Sequence, residues 1–180
     1  MARYGMVIDL RVCAQCRGCT VACQAVNQLP PDERWVELRS TSVGSFPSVR
    51  RITAPVQCMQ CGNPPCAAVC PTGATHKDSK TGVVLVDAGR CVGCRYCQVA
   101  CPYQARVFEE KTGVVAKCIF CLPLVKQGQQ PACVSQCIGH ARTFGDLDDP
   151  NSEVNRARRD LKAMAVRADL GTDPSIFYAS

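Results

Sequence analysis

Apolar positions along this chain fall in short runs separated by polar stretches, a pattern of short strands and turns more than of long helices. Residues 83–87 are β-branched and follow a turn at Lys80, Thr81 and Gly82, which predicts a short hairpin. Residues 35–38 and 49–52 predict two strands flanking a turn at Gly44 and Ser45, and residues 114–116 predict another. Further on, Asp149 as cap and Pro150 at the first helical position predict a helix running to about Arg167. Residues 171–180 then read as an extended arm carrying Phe177 and Tyr178, laid on a neighbour. No apolar run approaches the ~20 residues that cross a bilayer. The opening MARYGMVIDLRVC reaches a cysteine at residue 13, leaving no room for the apolar core of a signal peptide. The chain is therefore expected neither to span a membrane nor to carry its own export signal.

Composition changes this picture through one residue type. The chain has 180 residues, 47% of them apolar, but sixteen of those are cysteine and the aromatic fraction is only 6%. A weak ordinary core with this many thiols implies a fold built around something the thiols hold. The formal charge of +6 invites a nucleic-acid reading. If the thiols ligate metal, about −16 from thiolates and about +8 from four oxidised clusters turn that figure into about −2. The basic-protein argument then lapses and no nucleic-acid partner is expected.

The cysteines fall into four blocks of four. The first is Cys13, Cys16, Cys19, Cys23; the second is Cys58, Cys61, Cys66, Cys70. The third is Cys91, Cys94, Cys97, Cys101; the fourth is Cys118, Cys121, Cys133, Cys137. Every block opens with C-x2-C and closes with C-x3-C, and only the middle gap varies. Two intervening residues let one tight loop aim successive thiolates at a single cubane. The fourth cysteine lies one helical turn beyond the third, where a starting helix can aim it at a neighbouring cluster, as in bacterial two-cluster ferredoxins. Pro71 and Pro102, directly after the second and third blocks, fit the first turn of such a helix. Disulfides fit poorly, since thiols this crowded cannot all find bridging partners. Zinc sites combine two pairs of ligands, whereas these blocks read as three plus one. The spacing thus predicts four [4Fe–4S] clusters.

The hairpin between the second and third blocks is the layout of a two-cluster ferredoxin, so those blocks are expected to pair. One cluster takes Cys58, Cys61, Cys66 and Cys101, and its companion takes Cys91, Cys94, Cys97 and Cys70. By exclusion the first and fourth blocks pair, giving Cys13, Cys16, Cys19 with Cys137, and Cys118, Cys121, Cys133 with Cys23. The expected fold is α+β: two pseudo-symmetric ferredoxin-like modules, the inner one (57–102) inserted in the outer one (1–56 with 103–149), then a C-terminal helix and docking tail (150–180).

The segments RYGMVIDLRVCAQCRGCTVAC, QCMQCGNPPCAAVCPTGAT, RCVGCRYCQVACPYQAR and RTFGDLDDP resemble, over nearly the whole chain, the four-cluster iron–sulfur subunits of the molybdopterin oxidoreductases, the dimethyl sulfoxide reductase superfamily. Polysulfide and thiosulfate reductase subunits look most similar. The resemblance implies a partner holding a molybdenum or tungsten bis-pterin centre, and commonly a membrane subunit with a quinone site. It implies that the cluster of Cys13, Cys16, Cys19 and Cys137 lies nearest the catalytic partner. The cluster of Cys91, Cys94, Cys97 and Cys70 would face the quinone end. It also implies a complex on the outer membrane face, reached by co-export with a partner, with a cytoplasmic complex as the alternative. Ile138 departs from the proline that many relatives place after the last cysteine.

With every iron tied to a cysteine, the chain is expected to pass electrons and not to be itself an enzyme. A free polyferredoxin shuttling electrons between soluble enzymes is the alternative; the elaboration between blocks one and two and the Phe177–Tyr178 tail favour a docked subunit. A catalytic iron–sulfur protein would need a missing ligand or a substrate-pocket signature, and neither is present. Lys77, Arg90, Arg95 and Lys117 lie near ligands in sequence and are candidates to raise a cluster potential, against a plainer reading as surface charge. His76 and His140 read as loop or helix residues and Trp35 as core or interface. No G-x-G-x-x-G or P-loop pattern predicts a nucleotide site.

Overall fold

The chain opens with β1 (Tyr4–Asp9), whose Met6, Val7 and Ile8 are fully buried in the computed structural model, which describes residues 2–180. A strand covered on both faces is a continuous apolar run without alternation. Next come α1 (Gly18–Asn27), the strands β2 (Val36–Val43) and β3 (Arg50–Gln57), and the one-turn helix α2 (Pro65–Ala68). The strands β4 (Thr75–Lys77) and β5 (Val84–Val86) precede α3 (Tyr96–Val99), and β6 (Val107–Glu109) and β7 (Val114–Ala116) precede α4 (Leu122–Val125) and α5 (Ala132–Ser135). The chain ends with β8 (Arg142–Asp146), α6 (Glu153–Asp160), β9 (Met164–Ala165) and β10 (Ile176–Ala179). Few helices and short strands make this a small α+β fold of ferredoxin-like kind.

One four-stranded sheet organises it, in the order β8-β1-β10-β9, with β1 antiparallel to β8 and parallel to β10. Side chains alternate between its faces. One face turns Val7, Phe177 and Ala179 toward Val154 of α6 and toward Ala163. The other turns Met6, Ile8, Phe144 and Ile176 toward Met59, Phe120 and the cysteine loops. Gly5 lets the chain pass closely here, because a Cβ would lie 2.5 Å from Leu147 Cδ1 and 2.7 Å from the Ser175 carbonyl oxygen. The remaining strands form three two-stranded hairpins, β2–β3, β4–β5 and β6–β7. The short helices pack as α1 on α5 and α2 on α3, so blocks one and four touch, as do blocks two and three.

Several expectations are corrected. The strands around Trp35 and Ile52 extend into an eight-residue antiparallel ladder. The C-terminal helix is shorter: Ser152 caps it, accepting from the Asn155 amide at 3.4 Å, and it ends at Asp160. Asp149 instead accepts from the Asn151 amide at 2.9 Å in a turn ahead of the helix. The chain leaves the helix early because Met164 and Ala165 pair with β10. The tail is no free arm. It supplies β10, paired to β1, with Phe177 buried and the Tyr178 hydroxyl donating to the Pro55 carbonyl at 2.8 Å. Pro71 and Pro102 sit in turns, and the helical turn in each of those blocks carries the third cysteine.

Candidate metal centres

Each block folds its first two cysteines around the same local geometry. Gln15, Gln60, Gly93 and Phe120 all stand immediately before a second cysteine, and all four are left-handed, with φ of 55°, 48°, 65° and 55°. Successive amides around such a residue form a concave nest that favours an anion. The amides accordingly reach sulfur: Gly18 donates to Cys16 Sγ at 3.4 Å and Phe120 to Cys118 Sγ at 3.5 Å. The fourth cysteines receive theirs from further along, Cys70 from the Thr75 amide at 3.4 Å and Cys137 from the Ala141 amide at 3.3 Å. The third cysteine of each block lies on a helix, α1, α2, α3 or α5.

These loops bring cysteines of different blocks together. Cys13, Cys16, Cys19 and Cys137 line one cavity, with Ile8 and Arg142 beside them. Cys58, Cys61, Cys66 and Cys101 line another, with Tyr103 and Arg106. Cys23 faces Cys133 and Cys121, and Cys118 faces Cys23 and Cys133. For Cys91, Cys94, Cys97 and Cys70 the connection seen is the packing of α2 on α3.

The electrostatics suit a cationic guest. Burial, with Cys133 and Cys121 adding to it, pushes the Cys23 thiol up to about 12. Burial does the same to Cys61, where Cys58 adds, and holds Cys118 well above its ordinary value. Such thiols ionise together only around positive charge, which an iron–sulfur core provides. At Cys70 burial likewise raises the thiol, but donation from the Thr75 amide and from Thr72 outweighs it and brings the thiol down to about 7. Among the described residues, no three or more His, Cys, Asp or Glu are drawn tightly enough to hold a single metal ion. A cube binds one thiolate at each of its four corners and needs them spread apart, so this donor set fits it.

The structure adds residues that sequence reasoning missed. Arg106 and Arg142 are buried, each with an Nη2 that has no hydrogen-bond partner. Both stand five residues after a block's last cysteine, Cys101 and Cys137, a shared spacing that was the available signal. Of the four cations expected near ligands, Lys117 is buried, while Lys77, Arg90 and Arg95 are exposed. Arg95 lies over the Phe108 ring at 3.6 Å. His76 and His140 are exposed, and Trp35 packs at the edge of the core with its Nε1 buried and unpartnered.

The family model of the 4Fe-4S dicluster domain matches residues 49–147. The chain is 38% identical to a selenate reductase subunit of Mesobacillus selenatarsenatis, over 96% of this chain and 70% of that one. It is 41% identical to protein NrfC of Escherichia coli, over 97% and 79%. It is also 41% identical to a tetrathionate reductase subunit of Salmonella typhimurium, over 98% and 72%. No helix among the described residues is long and apolar enough to cross a membrane. The cysteine cages and these relatives together assign the chain to the 4Fe-4S dicluster family, among the iron–sulfur electron-transfer subunits of the dimethyl sulfoxide reductase superfamily.

Proposed function

We propose that the sixteen cysteines hold four [4Fe–4S] clusters and that the chain relays single electrons between a molybdenum- or tungsten-pterin catalytic subunit and a membrane subunit with a quinone site. One observation carries this reading. Of the sixteen cysteines only Cys16 and Cys94 are exposed, and they belong to the two sets assigned to opposite ends. Apolar side chains rim both places: Val12 and Ile138 near the first, Val92 and Val99 near the second, at 51%, 72%, 67% and 88% exposure. Exposed apolar side chains around an otherwise polar rim suit docking. Between the ends, Cys118 faces Cys58 across the two buried sets, which supports a linear order.

Bound clusters supply one-electron chemistry, and their potentials answer to hydrogen bonds, charge and burial. The chain's own work is to exclude water with Met59, Phe120 and Tyr103 and to donate amides to sulfur. Packing of α1 on α5 and of α2 on α3 supports the nested pair of modules. The test is metal analysis of the complex isolated anaerobically from its native cell. About 16 irons per chain with stoichiometric molybdenum or tungsten is the expected result. Half that iron refutes the four-cluster reading, and a fully loaded chain that isolates alone, with neither metal, refutes the docked-relay reading.

A further inference from the structure

Three basic side chains are buried, Arg106, Arg142 and Lys117, with 7%, 5% and 1% of their surface exposed. Among the described residues, the ion pairs with carboxylates involve none of them. A buried cation without a counter-charge is strongly unfavourable, so the compensating charge must lie elsewhere. Each of these three instead lies beside ligand cysteines.

Arg142 Nη1 donates to Gln57 Oε1 at 2.8 Å and lies 3.6 Å from Cys133 Sγ, while the same guanidinium lines the cavity of Cys13, Cys16, Cys19 and Cys137. It touches two cages at once. Arg106 repeats the arrangement in the other pair. Its Nη1 donates to Thr75 Oγ1 at 3.2 Å, its guanidinium lines the cavity of Cys58, Cys61, Cys66 and Cys101, and it also faces Cys97. Lys117 occupies the junction that remains. Its ammonium donates to the Cys118 carbonyl at 3.0 Å and to the Val84 carbonyl, and it faces Cys66. One cation therefore stands at each of the three gaps in the proposed order of four cages.

We propose that Arg142, Lys117 and Arg106 are bridging counter-cations: each raises the reduction potential of the two clusters it separates and weakens the repulsion between electrons on them. This rests on the four-cluster reading above. The physical reason is general. Four thiolates outweigh the charge of an oxidised core, and reduction adds one more negative charge. A cation a few ångströms from the sulfurs, shielded from water, stabilises the reduced form more than the oxidised one. Placed between two clusters it acts on both. The exposed Arg95 is screened by solvent and serves as a control.

The test uses the full chain in its complex, with iron content measured first and an anaerobic potentiometric titration followed by electron paramagnetic resonance. R142M, K117M and R106M are each expected to move two waves to lower potential. The expected size is at least a tenfold change in the reduced-to-oxidised ratio, about 59 mV for one electron. R142M and R106M should share no wave, and K117M should share one with each. R142K, R106K, K117R and R95M should leave all waves within that margin. Q57E, which sets a carboxylate against the Arg142 guanidinium without removing it, should shift the same two waves as R142M. If a methionine variant loses iron, Q57E and the charge-conserving variants decide. All four waves moving together, or Q57E moving none, overturns the proposal. Fewer than four clusters in the unaltered protein overturns the reading beneath it instead.

Discussion

Phe177→Ala separates two views of the C-terminal tail, a docking arm or a strand of the core. Phe177 is 4% exposed and sits among Val7, Val154, Ala163 and Ala179, between the sheet and α6. Truncating such a ring costs about 3–5 kcal/mol, part in lost burial and part in the cavity left behind. The Arg158 guanidinium stands 4.0 Å from the ring centroid, and on a solvent-facing helix that contact contributes about 0.5–1 kcal/mol within the same total. At about 2–4 °C per kcal/mol for a chain of this length, the apparent melting temperature should fall by roughly 6–20 °C. The assay is anaerobic thermal unfolding of the cluster-loaded chain by far-ultraviolet circular dichroism, at one scan rate, beside Phe46→Ala. Phe46 is 92% exposed, so its truncation should stay within about 0.5 kcal/mol of neutral. If both variants melt with the parent, β10 contributes nothing to the core and the packing argument fails.

Gly93→Ala should destabilise more than Gly113→Ala. Both positions are left-handed, but a Cβ at Gly93 meets the Gly113 carbonyl oxygen at 2.5 Å, whereas one at Gly113 meets nothing within 4 Å. The second change thus carries only the left-handed cost of about 1–2 kcal/mol, and equal melting temperatures would contradict the clash. Cys101→Ser should alter the same paramagnetic signal as Cys61→Ser, because both line one cavity; grouping with Cys97→Ser instead would mean ligation within blocks. Anaerobic chelation of iron should expose apolar surface, since Cys23 and Cys61 are left as buried neutral thiols around emptied cages. Dye binding and loss of near-ultraviolet circular dichroism report it, and an unchanged spectrum would show that the cages stand without their guests.

The cysteine blocks were legible because a cubane needs several thiolates from one short loop, and that demand prints itself as local spacing. The hairpin β4–β5 was legible for the same reason, being local; of β6–β7 only the strand at 114–116 was read, and its partner β6 was not. The main sheet was not. Its pairing joins Tyr4 to Asp146 and Met6 to Ile176, and no local pattern encodes partners so far apart. Residues 161–167 read as the end of a helix capped at Asp149, but the ladder between Met164 and Tyr178 ends that helix earlier. Arg106 and Arg142 were missed because a charge looks the same in sequence whether it is solvated or enclosed.

Strand β8 shows how the fold and the site depend on each other. Arg142 and Phe144 are two residues apart and share the face toward the cages, whereas Gly145 lies under α6, where a Cβ would come within 3.2 Å of Val154 Cγ1. Phe144 packs edge-on against Phe120 and stacks with Tyr4, both with ring centroids 5.3 Å apart. Phe120 is itself the left-handed residue of the fourth block. One face of one short strand therefore sets both the position of a cysteine loop and the cation beside it. A one-residue slip in the pairing of Ile8 with Arg142 would turn every side chain over. The guanidinium would then point at α6 and leave the cages without it. The sheet, which holds none of the sixteen cysteines, thereby fixes the charge that two of the four sets experience.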